Sequence, residues 1–225
     1  MPDDSRFSRS PVEFSRSRVI VNDGVVYSVP ILPESPQQLN RIVEIHDKAA
    51  LKSDVFGKSV VIGKSCFVGG SVFGDSDVVV GPMSEVVGNV ICKGRVTLSE
   101  GCKVGGTIVS SELTLGTGSV VHGAAITKKL VELDDKSIIE SVVLCTEGDI
   151  RLGSKTRCAD AISGGKLGVG QGSAVDDAVI LAHESIECAD GTMVGGKRPR
   201  PINYLHGSKP FEYEINANVD KSALD

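Results

Sequence analysis

A short apolar pattern that returns every 17 to 19 residues between positions 43 and 196 constrains this chain more than any other feature. Its anchors are aliphatic residues: Ile45, Ile62, Val80, Leu98, Leu115, Leu133, Leu152, Val169 and Ile186. A second apolar column stands two positions before the anchors, until Glu184 interrupts it in the last unit. A third column lies at plus six, from Leu51 to Val175, and a fourth at plus ten: Val55, Val72, Val90, Ile108, Ala125, Val143, Ile162 and Val179. Units this short cannot bury a core alone and must stack.

The spacing within a unit predicts strands, because the apolar positions fall in pairs two residues apart. Between the pairs lie Gly, Asp, Lys and Ser, the residue types of tight corners, with small residues at plus four and plus twelve. Each unit is therefore three short strands and three corners. We predict an all-β fold, a single-stranded parallel β-helix (β-solenoid) of about nine three-sided coils.

The pattern divides the chain into residues 1–42, a β-helix over 43–197, and residues 198–225. Residues 19–27 hold two strand-like runs around Asn22-Asp23-Gly24, which predicts a hairpin, and residues 35–38 begin like a helical turn. We expect residues 19–42 to cover the open edge of the first coil. Residues 211–219 alternate apolar and polar side chains, which predicts a strand that docks on the β-helix or adds to a neighbouring molecule.

Charge and composition limit the partners and the compartment. The formal net charge of -5 gives no basis for general nucleic-acid binding, and no run of 18 apolar residues exists. The first residues lack the apolar core of a secretory signal. We expect a cytoplasmic protein, with contacts to the inner membrane surface or to other scaffold partners through the tails. Arginines among the first 18 residues suit an anionic surface.

The cysteine pattern favours a reducing compartment. Cys66 and Cys102 share a column two coils apart, and Cys92 and Cys145 share one three coils apart. At the interstrand spacing these separations exceed the roughly 7 Å between Cα atoms that a disulfide tolerates. We therefore expect free thiols that act as small apolar side chains.

No catalytic, cofactor or metal site emerges from the sequence. His46, His122 and His183 fall in coils one, five and eight, roughly 14 Å or more apart, so they cannot share one ion. His122 as a lone catalytic base remains an alternative. Gly57-Lys58-Ser59 lacks the earlier glycine of a phosphate-binding loop and is explained as a corner.

Two families have repeats of this kind. Residues 62–68 fit the hexapeptide pattern of trimeric acyltransferases and related carbonic anhydrases, but the plus-ten and plus-twelve columns reverse its order, and no long loop interrupts the coils. Residues 86–98 and 104–108 resemble the coils of bactofilins, a family of polymer-forming cytoskeletal proteins. This resemblance implies a right-handed β-helix that assembles end to end into filaments without nucleotide and serves as a scaffold in cell shape. A hexapeptide-type enzyme and a capped adaptor that never polymerises are the alternatives.

The sequence also suggests where such a chain would join its copies. The first coil is regular, with Val43, Ile45, Leu51 and Val55 in place, whereas the last carries Thr192 and Gly196 where aliphatic residues are expected. We therefore predict a head-to-head contact through the first coil. Longer polymers would also use the C-terminal coil. The predicted self-assembly residues are Val43, Ile45, Leu51, Val55, Ile186 and Met193.

Overall fold

A computed structural model describes residues 11–31, 40–177 and 179–196. It confirms the fold class: the chain is all-β, and parallel strands stack coil upon coil into a β-helix. In chain order the strands are β1 (Val12–Phe14), β2 (Arg18–Val21), β3 (Val26–Tyr27), β4 (Ile42–Ile45), β5 (Ala50–Leu51), β6 (Val55–Ile62), β7 (Phe67–Val68), β8 (Val72–Val80), β9 (Glu85–Val86), β10 (Val90–Cys92), β11 (Arg95–Leu98), β12 (Lys103–Val104), β13 (Ile108–Leu115), β14 (Val120–Val121), β15 (Ala125–Leu133), β16 (Ile138–Ile139), β17 (Val143–Cys145), β18 (Asp149–Leu152), β19 (Arg157–Cys158), β20 (Ala161–Ser163), β21 (Lys166–Val169), β22 (Ala174–Val175), β23 (Ile180–Ala182), β24 (Ser185–Cys188) and β25 (Met193–Val194).

Every coil passes through three faces. Face one holds β2, β4, β11, β18, β21 and β24, and face three holds β10, β17, β20 and β23. Four long strands, β6, β8, β13 and β15, bend from face three into face one, which joins these faces into one 15-stranded sheet. Face two is a separate 10-stranded sheet with one short strand per coil, from β3 to β25.

The core is a set of columns in which each side chain rests on its equivalent in the next coil. Val104 pairs with Val86 on one side and with Val121 on the other, and all three are fully buried. Ile108 stacks in the same way between Val90 and Ala125. Parallel in-register pairing produces this stacking, because equivalent residues of neighbouring coils lie one interstrand spacing apart.

The first corner of each coil depends on a left-handed residue and a small buried one. Lys48, Ser65, Met83, Lys136 and Lys155 adopt φ of 56° to 60° there, and glycines fill the same position in other coils. The small residue that follows is a hydroxyl in most coils: Ser84, Ser119, Ser137, Thr156, Ser173 and Thr192. Five of these hydroxyls bond the backbone of the preceding coil, and that of Thr156 bonds Gly153 of its own corner, which explains why small polar residues recur at this column.

The N-terminal hairpin and the boundary at residue 43 are corrected by the structure. β2 and β3 lie in different sheets, and each pairs in parallel with the coil that begins at β4. Ile31 bridges Val55 on face three, so residues 18–31 form a further coil. The antiparallel partner of β2 is β1 instead. Periodicity missed this coil because Val21 and Ile45 are 24 positions apart, whereas other equivalent residues are separated by 17 to 19.

The register near the C-terminal end also differs from the prediction. Ala161 and Ile180, not Ile162 and Val179, occupy the inward column of face three, because the preceding corner is one residue shorter in one coil and one longer in the next. In the last coil Cys188 pairs with the anchor Val169, so Ile186 belongs to the column two positions earlier.

The last coil is consequently regular rather than degraded. Thr192 occupies the small buried column, and Val194 the column at plus six. The predicted helical turn at residues 35–38 and the predicted strand at 211–219 lie outside the described residues.

Candidate assembly surfaces

The described histidines do not converge on a site. Each lies on a different coil, and His122 instead places its Nδ1 2.9 Å from Glu140 Oε2 on the neighbouring coil, with both side chains about half exposed. Within residues 11–31, 40–177 and 179–196, no group of three His, Cys, Asp or Glu side chains is placed to hold a metal ion. None of the helices searched in that part of the chain is long and apolar enough to cross a membrane.

All six cysteines are free thiols, and five of them are buried. Loss of solvent raises the pKa of the thiols of Cys66, Cys92, Cys102 and Cys188. Burial raises the pKa of Cys158 to about 12, with a further contribution from the carboxylates of Asp176 and Asp160. Protonated, buried thiols are poor nucleophiles, so these side chains serve packing.

The raised thiol pKa values predict a loss of stability at alkaline pH. Above about pH 8.5 the unfolded chain releases thiol protons that the folded chain retains, so the free energy of unfolding falls as the pH rises. Cys158→Val fits a column in which Ile139 and Val175 are the neighbours, and this change should reduce the fall. Urea unfolding of both proteins at pH 8 and pH 10, with reductant, measures the difference. Equal pH dependence in the two proteins would contradict the prediction.

The N-terminal end of the β-helix is largely closed. Val19, Val21 and Ile31, the inward residues of the first described coil, are buried although no further coil lies beyond them among the described residues. On face one β1 runs antiparallel along the outer edge of β2 and pairs with it through Val12 and Phe14. An antiparallel strand of this kind blocks the parallel addition of another coil at that edge.

Four of the six predicted self-assembly residues therefore lie inside the structure. Val43, Ile45, Leu51 and Val55 are buried and paired on both sides, because the coil of residues 18–31 covers the edge that we expected them to present. The head-to-head contact that we predicted through the coil beginning at β4 is wrong in its location, because that coil is not the end of the β-helix. Its two premises, an open first coil and a degraded last one, both fail.

The C-terminal end is the more open one among the described residues. β23, β24 and β25 each pair with one preceding strand only. Ile180, Ala182, Ile186 and Cys188 pack against the core but are partly exposed. Ile186 and Met193, the remaining predicted self-assembly residues, both lie in this terminal coil.

Face three carries a surface that the sequence analysis missed. In every coil from β6 to β23 the outward residue of this face is aromatic or aliphatic, and each is the direct partner of the next: Phe56, Phe73, Ile91, Val109, Ile126, Leu144, Ile162 and Leu181. We name these residues the apolar column. Its sequence signal is an apolar residue between the two inward positions of face three, which a search for core positions overlooks.

The other two faces present charge at comparable positions. On face one, Arg95 Nη2 lies 2.6 Å from Glu112 Oε2, and Arg151 Nη1 lies 2.7 Å from Glu132 Oε1. On face two, Arg157 Nε lies 2.6 Å from Asp176 Oδ2. These pairs join adjacent coils on exposed surface and contribute little stability each. The apolar column contains no charged or polar residue, which distinguishes face three.

A scan against protein-family models found no match for this chain, and searches of curated proteins and of solved structures found none either. The resemblance to bactofilins is therefore carried by the pattern of the coils alone.

Proposed function

We propose that this chain is a non-enzymatic scaffold protein that assembles end to end with copies of itself, without nucleotide, as the resemblance to bactofilins implies. The observation that carries the proposal is the C-terminal coil, which no further described strand covers and in which the core side chains of Ile186 and Cys188 are partly exposed. A second copy that stacks on this end would pair the free edges of β23, β24 and β25 and bury those side chains together.

The direction of assembly follows from the difference between the two ends. β1 covers the edge of β2 on face one, whereas no described residue covers the outer edge of β24. Two C-terminal ends meeting around a two-fold axis would form the first joint. Growth into filaments would then use the N-terminal end, where β3 on face two has no outer partner among the described strands.

Replacing Ile186 with Arg should abolish assembly and leave the fold intact. The side chain lies at the end of the core, where an arginine can extend its charged group into water while the stem stays against apolar surface. In a joint between two copies, the guanidinium groups that the substitution introduces in each copy would face each other without water. At low protein concentration, sedimentation velocity and negative-stain micrographs should show dimers or filaments for the parent and monomers for the variant, with equal circular dichroism.

Val87→Arg is the matched control, because Val87 is an exposed valine that directly follows β9, far from both ends. It should assemble like the parent. End-to-end dimers or filaments that persist in the Ile186 variant at low protein concentration would contradict this joint, and a parent that stays monomeric at all concentrations would overturn the scaffold proposal. Coenzyme A-dependent acyl transfer by the purified protein would favour the hexapeptide-type enzyme instead.

A further inference from the structure

We propose that the apolar column on face three binds the apolar column of a second copy, side by side and with the two β-helix axes parallel. This contact is separate from the C-terminal joint and stands without it. It would give the protein a lateral interaction surface in addition to its ends.

The fold itself does not require apolar residues in this column. The core of face three is made by the inward residues on either side, such as Val90 and Cys92 around Ile91, and these are already buried. Equivalent outward positions on face one accept Thr97, Glu132 and Arg151. Eight apolar residues in unbroken succession, two of them exposed and six partly exposed, therefore need another explanation, and a contiguous apolar strip at the surface is typical of an interaction site.

The surface of the column is flat and regular. The rings of Phe56 and Phe73 stack with centroids 4.3 Å apart and an interplanar angle of 8°. Ile91 and Val109 are 39% and 38% exposed, so each side chain lies against its neighbours and leaves only its outer surface free. A second copy has the same spacing between coils, so each side chain of its apolar column lies opposite one side chain of the first copy's column. A flat strip suits a matching sheet surface better than insertion into a lipid layer, which requires side chains that reach about 5–10 Å deep.

The residues beside the column determine the orientation. Two positions after the column residue stand Lys58, Lys93 and Lys128, of which Lys93 is paired with Asp75 and Lys128 with Glu147 of the same chain. Two positions before it stand hydrogen-bond acceptors and acids: Asp54, Ser71, Asn89, Thr107 and Asp160. When two copies face each other with parallel axes, the lysine side of one lies opposite the acceptor side of the other. The parallel arrangement therefore places Lys58 opposite Asp54, whereas antiparallel axes at full overlap would place Lys58 opposite His183 and Lys93 opposite Thr146, without an opposing carboxylate.

The size of the column predicts a weak contact between single molecules. Eight rungs about 4.8 Å apart and about three residues wide make a face of roughly 34 Å by 10 Å. That area, about 340 Å², is less than half of the ~800 Å² per partner in a typical stable complex. Copies already joined end to end would present the column repeatedly, and the effective concentration of the second contact would then favour lateral pairing.

The test uses the full chain carrying Ile186→Arg, so that the end joint does not contribute. Sedimentation equilibrium at high protein concentration should show a monomer–dimer equilibrium. Adding Ile91→Glu and Val109→Glu, two adjacent members of the column, should lower the association constant by at least about tenfold. The matched control adds Val61→Glu and Val79→Glu, which are also adjacent, 39% and 36% exposed, and on face one. This control should stay within about twofold of its parent.

A segment of the same chain or a membrane surface at the apolar column would give different experimental results. No concentration-dependent association in the Ile186 variant overturns the proposal. A fall in melting temperature for the Ile91/Val109 variant well beyond that of the control, without a change in association, would mean that another part of the same chain covers the column. Flotation with phosphatidylserine vesicles that is lost only in the Ile91/Val109 variant would identify a membrane surface as the partner, and would equally overturn pairing with a second copy.

Cross-linking distinguishes the two orientations. In a Cys188→Ser background, which leaves only buried native thiols, Thr146→Cys lies opposite Val142→Cys of a second copy if the axes are parallel. It lies opposite Lys93→Cys if they are antiparallel and fully overlapped. A short bis-maleimide should link the Thr146 and Val142 variants in a mixture. Cross-linking of the Thr146 and Lys93 variants, or of neither mixture, contradicts the parallel arrangement.

Discussion

Replacing Val104 with Asp is expected to destabilise the protein by at least about 4 kcal/mol, since a carboxylate in the core has no water and no partner. Val104 is 0% exposed and lies between Val86 and Val121 in the middle of the stack. Its column has no open end nearby through which the new side chain could reach solvent. Guanidinium unfolding followed by circular dichroism measures the loss, and a melting temperature within a few degrees of the parent would show that the column is assigned wrongly.

Val87→Asp is the control for this substitution. Val87 directly follows Val86 at the end of β9 but points outwards and is 46% exposed, so the same change there should cost little. The cost at Val104 should also depend on pH. Burial raises the pKa of the introduced carboxyl above its unfolded value of about 3.9, so the folded variant is least penalised near pH 4 and loses stability as the pH rises.

Replacing Ser119 with Ala is expected to cost about 2–4 kcal/mol, because it leaves the buried amide of Cys102 and the partly buried carbonyl of Ser99 without partners. Ser119 is fully buried at the first corner of its coil. Its Oγ accepts a hydrogen bond from the Cys102 amide at 3.0 Å and donates one to the Ser99 carbonyl at 2.8 Å. Alanine keeps the small volume that the corner needs but cannot join these two groups of the preceding coil.

Ser110 supplies a control of the same chemistry. It is also buried, but its Oγ has no hydrogen-bond partner among the described residues. Ser110→Ala should therefore be neutral or slightly stabilising, because it removes a buried polar atom that gains nothing from burial. Thermal unfolding of the two variants side by side provides the measurement. Equal melting temperatures would mean that the Ser119 hydrogen bonds contribute no net stability.

The interior of the β-helix could be predicted because it depends on an unbroken period. Val104 and Ile108 are in the predicted columns, because the steps from the anchor to plus six and to plus ten are the same in the six coils from Ile45 to Leu133. The prediction failed where a connection changes length. The connection after Ile31 hid a whole coil, and the short corner before Ala161 shifted the inward column by one residue.

The assembly surfaces were harder to predict, for a different reason. Whether an edge is open depends on what covers it, and the pairing of β1 with β2 follows from a turn rather than from the repeat. The apolar column was overlooked because an alternating pattern in a strand is interpreted as one buried side and one side exposed to water. An apolar residue such as Ile91 between two inward ones violates that assumption, and only the structure shows that eight of them line up.

The two unequal corners near the C-terminal end show how such a chain can vary in length. Ala161 stands three positions after Cys158, and Ile180 stands five positions after Val175, yet Ile162 and Leu181 are still direct partners. The corner before face three thus absorbs an insertion or deletion of one residue without disturbing the strands on either side. Because each strand bonds only the coils above and below, a whole coil could likewise be gained or lost at little structural cost. A lineage could therefore change the length of this molecule in steps of about 5 Å while conserving both its ends and its lateral surface.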